Sequence, residues 1–363
     1  MGDELFDHLN QLKQNESKVA VATLVNTRGT TPRKEGAKML VGEGGRVLGS
    51  VTIGGCVDAQ VIEESADVLG TNAPRLLELN LGDEEAWEIG LTCGGTIEVF
   101  VEPLTLGRAD DATLAFYEGA RAHAETGGRA VIVTRLDPPH NGAKLLLLDR
   151  GGREGSLGDA FLDERFAAEA RQALDAGKSR TLFLENVRAF AEVFTPPAIL
   201  LVVGASHVAM PLTSMAKELG FRTVVVDGRP RFATRERFPH VDDLRIGVPS
   251  ELVQQVPLIP TTALVLVAHD YKYDLPVLRH ALGTPVGYIG LLGSTRRGAA
   301  ILNLLREDGV SEEALARVRV PIGLDLGAQS APEIALSILA EALAAQRNAT
   351  GMPISEKVRR GLK

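Results

Sequence analysis

The sequence Ala198-Ile-Leu-Leu-Val-Val-Gly-Ala-Ser-His-Val-Ala209 decides the fold of the second half of the chain. An apolar run long enough for one buried strand leads through a glycine turn into a helical pattern. The same alternation of strand and helix continues to about residue 347, which indicates a parallel sheet. We therefore predict an α/β chain in which residues 198–347 form a Rossmann-like, doubly wound domain with a parallel sheet.

The loops that follow the predicted strands emerge at the carboxyl edge of such a sheet, where ligands bind. Strands are predicted at 198–203, 222–226, 263–267 and 286–289, and helices at about 207–219, 274–282, 294–307 and 332–347. The residues of these loops that we expect to contact a cofactor are Gly204, Ser206, His207, Asp227, Arg229 and His269.

The glycine turn matches a dinucleotide-binding fingerprint only in part. Asp227 ends the next strand 23 residues after Gly204, where a ribose-binding carboxylate belongs. Ser206, however, stands at the second glycine position, and its side chain intrudes where a pyrophosphate approaches the backbone. We expect weak NAD(P) binding at most, which Ser206→Gly should improve. Asp227 has an alternative role, because such a carboxylate also hydrogen-bonds neighbouring loops.

Pro196-Pro197 marks the predicted domain boundary, because proline is stiff and cannot join a central strand. A chain of 363 residues exceeds one ordinary core, so two domains are expected. Residues 1–195 are predicted to form an N-terminal α+β domain, and residues 348–363 a solvated C-terminal tail. No internal repeat is visible in the sequence.

The N-terminal domain contains both cysteines of the chain, and a glycine pair stands beside each. Cys56 precedes a helical pattern, which places it at or just before a helix N-terminus. The free amides and the positive dipole of that end favour a thiolate and attract anions. Cys93 is predicted to be a loop thiol that enters a strand. In that strand Ile97, Val99 and Val101 alternate with Glu98, Phe100 and Glu102, which predicts one buried face.

The two cysteines also have a simpler interpretation as small core residues. Core packing does not call for paired glycines beside each thiol, whereas close approach of a ligand to the backbone does. Cys56 and Cys93 are therefore the candidate catalytic residues, with Gly54, Gly55, Gly94 and Gly95 as cofactor-binding residues. Arg33 joins this set because a guanidinium holds phosphate by bidentate hydrogen bonds, although a solvated loop is the commoner explanation.

The composition argues against several classes of function. A formal net charge of −8 disfavours a nucleic-acid surface, which needs a basic face. No apolar run reaches membrane-spanning length, and the acidic N-terminal residues are not typical of a signal peptide. The two cysteines are too far apart in the sequence for a disulfide scaffold or a zinc ribbon. We therefore expect the protein to be located in the reducing cytoplasm and to have no metal site.

Several motifs in order along the chain resemble the xanthine dehydrogenase accessory protein family, XdhC/CoxI. In the first domain they are Pro32-Arg33, Gly36–Val41, Gly54–Val57, Ile62–Glu64, Cys93–Gly95 and Val101–Pro103. In the second they are Asp227–Arg229, Ala233–Pro239, Tyr288–Ser294, Pro321–Gly327 and Glu333–Glu341. This chain differs from the usual family sequence at two places. Relatives usually have Gly-Ala-Gly-His-Val-Gly at the positions of Gly204–Ala209, and they usually have threonine where this chain has Ala268.

This resemblance implies a cytoplasmic maturation factor that is not itself an enzyme. It implies binding of molybdenum cofactor (molybdopterin), support of its sulfuration with a cysteine desulfurase as sulfur donor, and insertion into a xanthine dehydrogenase-type molybdenum hydroxylase. It also implies a homodimer. Molybdenum is thiophilic, so a thiolate among glycine amides suits this cargo. The alternatives are an NAD(P)-dependent oxidoreductase that uses the Rossmann-like domain, and an adaptor without a ligand.

Ligand sites favour domain interfaces, so we expect the cysteine loops to face the carboxyl edge of the second domain in a single cleft. The alternative is two independent domains joined at Pro196-Pro197, with the second binding its own small ligand.

Overall fold

The computed structural model describes residues 9, 12, 16–29, 31, 33–52, 56–81, 95–106, 111–268 and 270–361. The chain divides into two compact units, Met1–Pro196 and Pro197–Lys363. In this described part of the chain, no helix is both long and apolar enough to cross a membrane.

The first unit contains two antiparallel sheets. The first sheet and its helix consist of β1 (Lys18–Gly29), β2 (Lys38–Gly42), β3 (Val47–Gly49), α1 (Cys56–Thr71), β4 (Arg75–Asn80) and β5 (Gly95–Thr105). After α2 (Ala112–Glu125), the second sheet and its helix consist of β6 (Ala130–Arg135), β7 (Lys144–Leu148), β8 (Arg153–Gly155), α3 (Ala160–Ala176), β9 (Arg180–Leu184) and β10 (Val187–Phe194). We call residues 18–105 the first repeat and residues 130–194 the second repeat.

The two repeats share one topology. The strand order is β3-β2-β1-β5-β4 in the first sheet and β8-β7-β6-β10-β9 in the second, and each helix follows the third strand of its repeat. The repeat is therefore visible in the structure and not in the sequence. One pair of equivalent positions keeps its total side-chain volume although the residue types are exchanged. In the first sheet Ala22 pairs with Val101, and at the equivalent positions of the second sheet Val133 pairs with Ala191.

The helices α1 and α3 each cover one face of their own sheet. Val61 and Val68 of α1 pack against the first sheet, and Phe166 of α3 packs against the second. The remaining faces pack against each other and against Tyr117 of α2. The central strands, β1 and β5 of the first sheet and β6 and β10 of the second, are therefore mostly buried on both faces.

The burial of β5 differs from the predicted alternation because both faces of this strand are covered. Glu98, Phe100 and Glu102 were expected on an exposed face, but they are 6%, 2% and 3% exposed. The second sheet covers them, and each carboxylate has a cationic partner: Arg188 binds Glu98 at 2.7 Å, and Lys144 binds Glu102 at 2.9 Å. A buried charge requires such a partner.

The second unit is a parallel six-stranded sheet, which confirms the predicted fold class. Its elements are β11 (Ile199–Val203), α4 (Ala209–Glu218), β12 (Arg222–Asp227), β13 (Asp243–Ile246), α5 (Pro249–Val253), β14 (Thr262–Leu266), α6 (Tyr271–Leu282), β15 (Tyr288–Leu291), α7 (Thr295–Glu307), α8 (Glu312–Leu315), β16 (Val318–Arg319), α9 (Ala331–Gln346) and α10 (Ile354–Arg359). The strand order β13-β12-β11-β14-β15-β16 is that of a dinucleotide-binding Rossmann sheet.

The sequence missed the short elements of this unit, among them β13, α5 and β16, because too few residues carry their pattern. Within the predicted solvated tail of residues 348–363, residues 354–359 form α10. Ile354 and Val358 of α10 are 80% and 71% exposed, so this helix adds no core.

Candidate functional site

Three loops of the first repeat are attached at the same end of the first sheet. β1 ends at Gly29, which pairs with Gly95 at the start of β5. β3 ends at Gly49 opposite Met39, near the start of β2. The amide of Leu81, just after β4, donates to the carbonyl oxygen of Gly95 at 2.8 Å. The segments that flank both cysteines and the loop that contains Arg33 therefore attach to the same end of the sheet.

The helix α1 begins at Cys56, which confirms the prediction of a helix N-terminus at this residue. Asp58 in its first turn is buried, and it accepts hydrogen bonds from the hydroxyls of Ser50 and, at 2.9 Å, Thr52. These bonds fix the segment that leads towards Cys56 against the helix. The carboxylate also interacts favourably with the positive end of the helix dipole.

Arg33 lies beside the same segment. Its Nη1 donates a hydrogen bond to the carbonyl oxygen of Ser50 at 2.9 Å. Gly54, Gly55, Cys93 and Gly94 lie outside the described residues, as does the side chain of Cys56, so the roles assigned to this set stay predictions.

One connection is much shorter in the second repeat than its equivalent in the first. Two residues, Glu185 and Asn186, join β9 to β10, whereas residues 81–94 join β4 to β5. Glu185 adopts a φ of 54°, as a tight hairpin turn requires. Long loops in a compact unit usually carry function. The comparison of the repeats therefore points to the loop between β4 and β5, which contains Cys93.

In the second unit, the strand order reverses between β11 and β14, and the loops after these strands flank the crevice in which Rossmann sheets bind ligands. Gly204 has a φ of 110°, and a Cβ there would lie 2.6 Å from the backbone of Ala268. Only glycine fits this position. Ser206 is half-buried, with its hydroxyl 3.4 Å from the amide of Ala209, and His207 is exposed. His269 lies outside the described residues.

Asp227 binds its own loop. Its Oδ1 accepts from the amide and Nε of Arg229 at 2.8 and 2.9 Å, and its Oδ2 accepts from the amide of Ala205 at 2.6 Å and Nη2 of Arg229 at 2.7 Å. Burial raises the pKa of Asp227, but the hydrogen bonds from Arg229 and the two amides outweigh burial, so this pKa lies below its ordinary value. Of the two predicted roles, the geometry supports the loop-binding one.

The residues of this crevice do not fit a dinucleotide. A ribose hydroxyl would have to displace Arg229 from Asp227, and Ser206 keeps its side chain at the pyrophosphate position. Pro211 lies in the first turn of α4 and has no N–H, which removes one of the amides that a helix N-terminus offers to a phosphate.

Sequence reasoning missed three charged residues at this edge, Arg237, Asp274 and Arg297. The helix was predicted to begin at about Asp274, but Asp270 accepts from the amide of Lys272 at 3.0 Å and α6 begins at Tyr271. Asp274 thereby enters the first turn of the helix, where it is fully buried and accepts from Arg297 Nη2 at 2.5 Å. An Asp one residue before a helical pattern is an N-cap signal that would have found this boundary.

Comparison with known proteins agrees with this architecture. A model of the XdhC Rossmann domain matches residues 200–342, and a model of the XdhC and CoxI family matches residues 12–80 and 120–185. The chain belongs to the XdhC and CoxI family. The two segments of the second match lie mainly in the first and the second repeat, respectively.

Relatives from this family cover almost the full chain. The chain is 28% identical to a Bacillus subtilis protein described as a probable xanthine dehydrogenase subunit, over 92% of this chain and 94% of that protein. It is 28% identical to Molybdenum cofactor insertion chaperone PaoD of Escherichia coli, over 88% of this chain and 81% of that protein. A crystal structure of a protein described as a xanthine dehydrogenase from Bacillus halodurans is similar with a TM-score of 0.76 and 25% identity, over 94% of this chain and 95% of that one.

Proposed function

We propose that this chain is a chaperone that binds the molybdenum cofactor and inserts it into a xanthine dehydrogenase-type molybdenum hydroxylase. The observation that carries the proposal is the similarity over 88% of the chain to a protein named as a molybdenum cofactor insertion chaperone. The similarity to a protein named as a probable xanthine dehydrogenase subunit supports the same class of client enzyme.

The geometry of the first repeat supports a site for this cargo. Asp58 and Arg33 both hold the segment at Ser50 that leads towards Cys56, and Gly95 anchors the chain two residues after Cys93. Thiolates suit a thiophilic metal, and a guanidinium and glycine amides suit the phosphate of the pterin. We therefore assign Cys56 and Cys93 to the molybdenum and Arg33 to the phosphate.

The proposal has finer parts. The protein holds the cofactor while a cysteine desulfurase supplies sulfur, and it acts as a homodimer in the cytoplasm. We assign the cofactor loops to an N-terminal domain of residues 1–195, and we assign residues 198–347 to a Rossmann-like domain that is followed by a tail. An NAD(P)-dependent oxidoreductase is disfavoured, because Asp227 and Pro211 do not fit a dinucleotide.

The test measures cofactor retention by the full-length protein. The wild type and the variants Cys56→Ser, Cys93→Ser and Arg33→Gln are incubated with molybdenum cofactor, and the molybdenum and pterin that remain after gel filtration are quantified. We expect each cysteine variant to lose about tenfold or more in affinity, since a metal–thiolate bond is replaced by a weaker hydroxyl contact. Unchanged thermal unfolding would show that the loss is not a folding defect.

Matched controls come from the second repeat. His140→Ala changes the loop between β6 and β7, which is the equivalent of the Arg33 loop, and Arg150→Gln removes an exposed guanidinium. Both should retain cofactor like the wild type. Retention that is equal in the wild type and in both cysteine variants would refute the proposed site, and absence of retention by the wild type would refute the proposed function.

A further inference from the structure

A cavity of about 330 Å³ lies at the amino edge of the parallel sheet of the second unit. The start of β15 and the strand β16 line one side of it, and the C-terminal end of α9 lines the other. The carboxyl edge, where Rossmann sheets bind their ligands, is at the opposite end of the same strands. The volume is in the range of small-molecule sites, so this cavity is a candidate site that is separate from the crevice between β11 and β14.

Two arginines at the edge strand line this cavity. Arg317 directly precedes β16 and Arg319 is its last residue, so alternation along the strand directs both side chains to the same face of the sheet. Arg317 donates hydrogen bonds at 2.9–3.0 Å to three carbonyl oxygens, those of Leu282, Thr284 and Val286. These carbonyl oxygens hold the guanidinium in place but do not neutralise its charge. Within the described part of the chain, neither arginine forms an ion pair.

The charge of these two arginines is left without a counterion in a chain that has an excess of acidic residues, 47 against 39 basic ones. The nearby carboxylate of Glu341 is already bound: its Oε2 accepts from the hydroxyl of Tyr288 at 2.6 Å and from the amide of Gly323 at 2.9 Å. Among the residues that the structure describes, Glu341 forms no ion pair with either arginine. Two unneutralised guanidinium groups at one cavity create a positive potential that favours an anion.

The helix side of the cavity is compatible with an anion that has a short carbon chain. Ala344, Ala345 and Ala349 line this side, and their side chains are methyl groups. A helix C-terminus normally directs negative potential outwards. Here the amides of Asn348 and Ala349 donate to the carbonyl oxygens of Ala345 and Ala344 at 3.2 and 2.8 Å, so two of the last carbonyl groups are already satisfied. The amide side chain of Asn348 also lines the cavity and can donate a hydrogen bond.

We propose that this cavity binds a small dianion, either a dicarboxylate or a phosphate monoester with a short carbon chain. Two cations favour two negative charges, and a guanidinium donates in a geometry that fits both carboxylate and phosphate oxygens. The charged groups of the ligand contact Arg317 and Arg319, and its carbon chain lies against the methyl groups at the end of α9. The site uses residues of the second unit alone, so its failure would leave the proposed role of the cysteine loops untouched.

The test is isothermal titration calorimetry of the full-length protein with succinate and with glycerol 3-phosphate, each beside its uncharged counterpart, succinamide or glycerol. We expect at least one dianion to bind, its counterpart not to bind, and the affinity to fall with added sodium chloride. Arg319→Gln should weaken binding about tenfold, as loss of a hydrogen bond to a charged group does. Arg222→Gln is the matched control, because Arg222 is an exposed arginine at the start of β12, at the same edge of the sheet but outside the cavity. It should bind like the wild type.

A second pair of variants separates charge from shape. Ala349 is exposed at the cavity, so Ala349→Asp adds a carboxylate beside the arginines and should abolish dianion binding, whereas Ala349→Asn has nearly the same size and should weaken it far less. Binding of succinate alone or of glycerol 3-phosphate alone supports the site and identifies the class of anion. The proposal is overturned if neither dianion binds, or if Arg319→Gln and Ala349→Asp both bind like the wild type.

Discussion

Glu98 Oε1 accepts a hydrogen bond from Arg188 Nη1 at 2.7 Å, and these two residues occupy equivalent positions in β5 and β10. Phe100 pairs with Thr23 of β1, and Phe190 pairs with Thr134 of β6, so the two phenylalanines are equivalent. Glu98 and Arg188 each lie two residues before their phenylalanine. Equivalent residues meet in this way at a two-fold axis. The two repeats are therefore related by two-fold pseudosymmetry.

Two buried ion pairs follow the same symmetry. Lys38 of the first repeat binds Glu192 of the second at 3.0 Å, and Lys144 of the second binds Glu102 of the first at 2.9 Å. Tyr117 of α2 lies between the pairs, with the two ammonium nitrogens 5.0 and 5.2 Å from its ring centroid. Its hydroxyl donates to Glu102 only, so this side chain breaks the symmetry.

The reciprocal ion pairs predict a pair of matched stability effects. Lys144→Met should lower the free energy of unfolding by about 3–5 kcal/mol, because it leaves Glu102 as an unpaired buried charge. Lys38→Met should have a similar effect through Glu192. Denaturant unfolding measures both, and the double variant Lys144→Met/Glu102→Leu should recover most of the loss. Equal destabilisation by the single and double variants would contradict this account.

Asp58 is predicted to position the loop that leads towards Cys56. Asp58→Asn should lower the free energy of unfolding by about 1–2 kcal/mol, as loss of hydrogen bonds at a helix start does, and it should also weaken cofactor retention. Asp163→Asn is the matched control, because Asp163 accepts from the amide of Leu157 at 2.7 Å in the first turn of α3. It should destabilise the fold equally without any change in retention. Loss of retention in both variants would mean that stability, and not position, controls binding.

The structure changes the expected effect of Ser206→Gly. The sequence predicted that this substitution improves NAD(P) binding, but Asp227 stays bound to Arg229 and Pro211 still lacks its N–H. We now expect the variant to bind NADH no better than the wild type in a fluorescence titration. Submicromolar affinity in either protein, equivalent to about −8 kcal/mol, would disprove this expectation.

Asp274 and Asp227 predict opposite effects of pH on stability. Burial outweighs the hydrogen bond from Arg297 and raises the pKa of Asp274 above its ordinary 3.8, so the folded chain binds this proton more tightly than the unfolded chain. The wild type should therefore lose stability relative to Asp274→Asn as the pH rises from 3.8 through the raised pKa.

The pKa of Asp227 is lowered, so the unfolded chain binds this proton more tightly than the folded chain. The wild type should therefore be stabilised relative to Asp227→Asn above pH 3.8. It should lose this advantage as the pH falls from 3.8 through the lowered pKa. Urea denaturation of the three proteins over a series of pH values measures both differences. A change of the same sign for the two residues would contradict the burial and hydrogen bonding described here.

Local patterns in the sequence were sufficient for the fold class. The apolar run at 199–203, the spacing of strands and helices after it, and the helix start at Cys56 are confirmed. Each depends on residues within about ten positions, where hydrophobic period and turn chemistry act directly. The sequence by itself thus determined the Rossmann sheet, the helix that begins at Cys56 and the strand that follows Cys93.

Only the tertiary structure decided which charges are buried and with what partner. Glu98 and Glu102 look like solvent-facing residues in β5 until the second repeat covers them, with Arg188 90 residues after Glu98 and Lys144 42 residues after Glu102. Asp227 looks like a ribose ligand until Arg229 folds back on it, and Asp274 becomes an orphan only because α6 begins early and packs beside Arg297. Apart from the Arg229 contact, which lies two residues from Asp227, these burials and pairings depend on neighbours that are distant in the chain, and no local pattern contains them.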